Sequence, residues 1–288
     1  MTSFNTLVSS TELAAHLDDP QWIILDCRHD LVNPSFGSDA YAAGHIPGAR
    51  FISMDHDLAD HAATVAGGRG RHPLPTPEAL AATFSRLGID AAKQVAVYDH
   101  AAGSYAARAW WCLRWLGHQT VAVLDGGIQQ WEAEGKPLTT ATPNWPAARF
   151  EAQPNRGMQV NAATVQARIG ATDVCVIDAR APERYNGSTE PIDPVAGHIP
   201  GARNRFWKHN IGSDGRFKSA AQLRSEWQAA LAGLAAAEVM HQCGSGVTAC
   251  HNLLAMEVAG LSGATLYPGS WSEWCTDSAR PVRTGDAP

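Results

Sequence analysis

The chain predicts an α/β protein made of two tandem parallel sheets, each flanked by helices on both faces. Three observations carry that expectation. The segment YAAGHIPGA at 41–49 returns as PVAGHIPGA at 194–202, with seven consecutive residues identical. Each copy follows an apolar run that ends in Asp-x-Arg, WIILDCR at 22–28 and VCVIDAR at 174–180. Further along, a constant register of 143 residues pairs Gly103 with Gly246, Gly117 with Gly260, Gly126 with Gly269 and Trp131 with Trp274. Identity over a run, in a preserved order of flanking features, marks a tandem duplication.

The elements follow in order. In the first copy WIILDC, QVAVYD and TVAVLD are short, β-branched and almost wholly apolar, as strands covered on both faces must be. Between them TPEALAATFSRLG reads as a helix with Thr76 as cap, Pro77 in the first turn and Gly88 past the end. SYAARAWWCLRWLG reads as the next helix, and Trp110, Trp111 and Trp115 fall on its packing spacing. In the second copy VCVID, EVMHQC and ATLYPG read as strands. SAAQLRSEWQAALAG and GVTACHNLLAMEVAG read as helices. Strands alternating with helices imply parallel crossover connections. GKPLTTATPNWPAARFEAQPNRG carries no periodicity and reads as a linker. The expected division is a first domain at 1–137, a linker at 138–158 and a second domain at 159–288.

Composition narrows the function. The chain has 288 residues, 45% of them hydrophobic and 17% charged, with a formal net charge of −6 and both signs interspersed. Nothing there suits a nucleic-acid surface. No apolar stretch approaches the ~20 residues that span a bilayer, and the N-terminus lacks a basic region followed by an apolar run. The expectation is a soluble, cytoplasmic protein that binds neither nucleic acid nor membrane. The six cysteines make no paired CxxC motifs, so no metal site and no cofactor is expected.

One cysteine stands apart. In HQCGSGVTACHNLLA the strand EVMHQC delivers Cys243 to the carboxyl end of a parallel strand, where α/β sheets bind ligands. Gly244 and Gly246 let main-chain N–H groups converge at the start of a helix, which favours an anion. The natural anion is the thiolate of Cys243 itself, since helix N-termini lower thiol pKa values from about 8.5 toward 7. The matching position in the first copy is His100, so the turn does not require a thiol to fold. A phosphatase cradle would need an arginine six positions after the cysteine to hold phosphoryl oxygens; that position is Ala249. The loop contains no Lys or Arg, which leaves a small neutral cup suited to a sulfur atom added to Cys243. His45, His198, Asp26, Asp178, Arg28 and Arg180 occur in both copies and read as structural. Cys250 reads as a packed thiol.

The two AGHIPGA segments after Asp-x-Arg strands, with the loop CGSGVTA, resemble the tandem rhodanese-domain sulfurtransferases. The loop form resembles their mercaptopyruvate-using branch. The resemblance covers nearly the whole chain and implies an enzyme with a Cys243 persulfide intermediate. It would take sulfur from 3-mercaptopyruvate, release pyruvate, and pass the sulfur to a thiol acceptor such as thioredoxin or a small thiol, or to cyanide. Gly244, Gly246, Val247 and Thr248 would cradle the sulfur, and Arg184 in APERYNG would bind the substrate carboxylate. Asp55 and His72, from the first domain, would join Ser245 in a proton relay. Many relatives carry a second arginine before Gly-His-Ile-Pro-Gly; STEPIDPVAGHIPG has none, with Arg203 and Arg205 as the nearby alternatives. Two other functions remain open: thiosulfate:cyanide sulfur transfer, and sulfur carriage or redox sensing without turnover.

Overall fold

The computed structural model describes residues 3–288, and these form two compact units. The first comprises residues 3–59, 75–155 and 213–217; the second comprises 60–74, 156–212 and 218–288. The division is therefore not contiguous in sequence. The segment 60–74, expected in the first domain, packs with the second unit.

The first unit is built on a five-stranded sheet: β1 (Leu7–Val8), β2 (Trp22–Asp26), β3 (Arg50–Phe51), β4 (Gln94–Tyr98) and β5 (Val121–Leu124), in the order β1-β5-β4-β2-β3. All pairings are parallel. The expected strands are β2, β4 and β5; the short edge strands β1 and β3 are additional. Every residue of β4 and β5 is buried, which explains their unbroken apolar sequence. Thr76 caps helix Pro77–Arg86 by accepting the Ala79 N–H at 3.2 Å. Trp110, Trp111 and Trp115 are buried on helix Ala106–Trp115, as their spacing predicts.

The second unit repeats the plan with four parallel strands, β6 (Cys175–Asp178), β7 (Arg203–Asn204), β8 (Val239–Gln242) and β9 (Thr265–Leu266), in the order β7-β6-β8-β9. The expected strand at 264–269 shrinks to two residues because Pro268 has no N–H for a ladder. The helix expected from Gly246 runs Thr248–Val258.

The duplicated motifs do the same structural task twice. Arg28 grips the Asp26 carboxylate through Nε and Nη2 and donates to the Gly44 carbonyl at 2.7 Å. Arg180 does this with Asp178 and the Gly197 carbonyl, also at 2.7 Å. His45 stacks on Tyr41 and His198 on Tyr185, each pair with ring centroids 3.9 Å apart. Buried charges of this kind persist only when paired. These residues fasten the loop after the first long strand of each unit, which accounts for their presence in both copies.

His241, on β8, gives the second unit a pH dependence. Burial, reinforced by the positive charge of Arg205, pushes its pKa down to about 3. The folded state thus refuses a proton that the unfolded chain accepts below about pH 6.5. Stability is full above that pH and falls as acid is added, by about 1.4 kcal/mol per pH unit. Urea unfolding is expected to show about 2 kcal/mol less stability at pH 5 than at pH 8 from this residue. In His241→Leu that increment disappears; an unchanged pH slope in the variant would contradict the assignment.

Candidate active site

The site is assembled within the second unit at the carboxyl end of β8. Cys243 follows the strand, and its main-chain N–H donates to Ser270 Oγ at 3.1 Å. The Cys243 and Gly244 carbonyls accept the N–H groups of Trp271 and Ser272 at 3.0 and 2.9 Å, so the loop is stitched to helix Ser270–Trp274. Gly246 is required by its geometry. Its φ is +76°, and a Cβ there would lie 2.3 Å from the Pro268 carbonyl oxygen. Its N–H points back and donates to Cys243 Sγ at 3.2 Å. Val247 occupies the position before helix Thr248–Val258, and no side chain caps that helix. The Cys250 N–H turns back to the Val247 carbonyl at 3.0 Å.

Ser270 carries strain for this arrangement. Its φ is +54°, a region that side chains with a Cβ rarely occupy. The corresponding residue of the first unit is Gly127, with φ +62°. A serine is kept where glycine would fit more easily because its hydroxyl holds the Cys243 amide while donating to the Tyr267 carbonyl at 2.9 Å.

His72 and Ser245 meet as expected, with Nδ1 to Oγ at 2.7 Å and both residues buried. His72 is brought there by its own segment, which packs on the second unit. The Arg71 N–H donates to Ser272 Oγ at 2.9 Å, and Gly70 lies so close to Gly269 that a Cβ would approach its carbonyl oxygen to 2.7 Å. Asp55 belongs to the first unit, where its carboxylate lies 3.8 Å from His29 Nδ1.

Arg184, expected to bind a substrate carboxylate, borders the loop at Gly244 together with Arg71. A Cβ on Gly244 would meet Arg71 Nη2 at 3.1 Å and Arg184 Nη1 at 3.4 Å. Two guanidinium groups thus border a loop that itself carries no charge, and the expectation of a chargeless cup is corrected. Asp193 joins the two arginines, with its oxygens 2.7 Å from Arg71 Nη1 and 2.9 Å from Arg184 Nη2. Glu190 holds Arg184 in a two-pronged contact and reaches Arg180 at 3.3 Å. Arg203 and Arg205 are engaged elsewhere: Arg203 donates to the Ala230 and Leu231 carbonyls, Arg205 to Asn210 and Glu226. The signal that could have found Arg71 was its place beside His72 in GRGRHP.

The sequence profile described as "Rhodanese-like domain" matches residues 9–134 and 161–277. The chain belongs to the rhodanese-like family. This rhodanese-like chain is 47% identical over 281 residues to the "Probable 3-mercaptopyruvate sulfurtransferase" of Pseudomonas aeruginosa, covering 97% of this chain and 98% of the relative. It is 40% identical to the "Putative thiosulfate sulfurtransferase SseB" of Mycobacterium tuberculosis, over 98% of both chains. Among solved structures, SseA of Escherichia coli is described as showing the rhodanese fold and catalytic mechanism of 3-mercaptopyruvate sulfotransferases. It matches with a TM-score of 0.79 and 32% identity, over 94% of this chain and all of that one. The tandem rhodanese fold read from the repeats therefore stands. Among the described residues no helix is long and apolar enough to cross a membrane.

Proposed function

We propose that this chain is a sulfurtransferase that takes sulfur from 3-mercaptopyruvate onto Cys243 and passes it to a second thiol. The observation that carries the reading is a thiol accepting a loop N–H, with Arg71 and Arg184 beside it. The names of full-length relatives support the donor.

The Cys243 thiolate attacks the sulfur of the donor, and an S–S bond forms as the C–S bond breaks. The bonding pair leaves on the pyruvate enolate, which takes a proton at carbon to become pyruvate. His72 and Ser245, 2.7 Å apart, are suited to relay that proton or to hydrogen-bond the ketone oxygen. Asp55 is proposed to assist the relay. Arg184 and Arg71 hold the carboxylate, and the amides of Gly244, Gly246, Val247 and Thr248 hold the outer sulfur. An acceptor thiolate then attacks the outer sulfur and releases the Cys243 thiolate. The acceptor is thioredoxin or a small thiol. Covalent catalysis of this kind splits one hard transfer into two easier ones. Six cysteines without a disulfide fit a reducing, cytoplasmic setting.

The test is a single turnover read by intact mass. Incubation with 3-mercaptopyruvate in the absence of acceptor is expected to add one sulfur, about 32 Da, with one pyruvate released per chain. Peptide mapping is expected to place the sulfur on Cys243. Pyruvate release with no mass gain, or sulfur on another cysteine, would overturn the proposal.

A further inference from the structure

Around the loop the second unit holds an unbroken line of ion pairs, running Arg71–Asp193–Arg184–Glu190–Arg180–Asp178. The successive contacts are 2.7, 2.9, 2.7, 3.3 and 2.7 Å. Three guanidinium groups meet three carboxylates, so the line sums to zero formal charge. Its inner members, Asp178, Arg180, Glu190 and Asp193, are almost wholly buried. Arg184 and Arg71 keep 17% and 22% of their side-chain surface exposed, and these two border Gly244. The cationic end that faces the sulfur cup is thus backed by a carboxylate that touches both cations.

We propose that Asp193 determines which sulfur donor the site prefers, by holding Arg71 in place as a second carboxylate-binding cation while cancelling enough positive charge to penalise a dianion. This rests on the donor reading above. Arg184 shares Asp193 with Arg71, so a ligand carboxylate meets two guanidinium edges but a field close to neutral. 3-Mercaptopyruvate in its thiol form brings one negative charge, and thiosulfate brings two. A change in site potential acts on each donor in proportion to its charge. Removing the Asp193 charge therefore multiplies the dianion's gain relative to the monoanion's, and specificity is the difference between the two.

The experiment measures kcat/KM for both donors on one preparation, so that the fraction of folded enzyme cancels in their ratio. Asp193→Asn removes the charge and also one of the two contacts, because an amide nitrogen cannot accept from a guanidinium; the lost contact weighs on both donors, while the charge acts in proportion to theirs. The ratio then moves about fivefold toward thiosulfate. Asp193→Glu keeps the charge and is expected to keep the wild-type ratio. Arg71→Gln is expected to move the ratio the other way, with the loss for mercaptopyruvate appearing in KM. A ratio in Asp193→Asn within twofold of wild type would overturn the proposal, as would an equal shift in Asp193→Glu. If the wild type releases no pyruvate from 3-mercaptopyruvate, the donor reading fails instead. The two failures are thus separate.

Discussion

Cys243→Ser is expected to abolish pyruvate release from 3-mercaptopyruvate, by at least about a thousandfold in kcat. A serine hydroxyl fills nearly the same space and accepts the Gly246 N–H in the same way, so the fold and the bordering arginines are left in place. What disappears is the sulfur nucleophile that can form a sulfur–sulfur bond. Four of the five other thiols offer no substitute. Burial pushes Cys27 well above the usual thiol range, raises Cys175 and Cys275, and carries Cys112 up to about 11, so these four stay protonated at neutral pH. Stopped assays of pyruvate, with binding of unreacted donor followed by calorimetry, separate the two contributions. Rate is expected to vanish while binding survives within a few fold. Residual turnover above about 1% would place the chemistry on another residue. Because Cys243 is only 2% exposed, small donors are favoured over bulky thiol reagents.

The repeat made much of this legible. Duplicated Asp-x-Arg and Gly-His-Ile-Pro-Gly segments identified a structural module, and the absence of a thiol at His100 singled out Cys243 as something the fold does not need. His72 and Ser245 also meet as expected. Short edges escaped, because a two-residue strand such as β1 or β3 has no periodicity to read. Helix Ala162–Ala167 is likewise too brief to show a stripe. Arg71 was missed for a different reason. Its role depends on segment 60–74 packing with the second unit, and nothing local in AGGRGRHP states which unit will hold it. Asp193 has meaning only once both of its arginines are placed. Pairwise charge geometry across more than a hundred residues is set by tertiary structure, which hydropathy patterns do not encode.

The same repeat supplies a sharper test of why the loop binds sulfur. In the first unit, Asp99 precedes His100 and is fully buried. Its carboxylate accepts the N–H groups of Ala101, Gly103, Tyr105 and Ala106 at 2.7, 2.9, 2.7 and 2.8 Å. That cradle is filled by the chain's own anion. In the register of 143, Asp99 corresponds to Gln242, and the four amides correspond to those of Gly244, Gly246, Thr248 and Ala249. Gln242 is also fully buried, yet neither polar atom of its amide meets a hydrogen-bond partner. Leaving such groups unsatisfied costs about 1–3 kcal/mol each. A neutral side chain at this position leaves the Gly246 N–H to the Cys243 sulfur. Gln242→Asp is therefore expected to close the second cradle as Asp99 closes the first. The new carboxylate would take the Gly246 N–H and set a negative charge beside the thiolate, a repulsion of about 3–4 kcal/mol at an effective dielectric near 20. Pyruvate release is expected to fall at least about a hundredfold, with thermal stability unchanged or raised. Gln242→Met, neutral and close in volume, is expected to stay within about threefold of wild type, which separates charge from packing. Equal losses in the two variants would show that the side chain matters through its shape, and that the loop amides are not what the sulfur depends on.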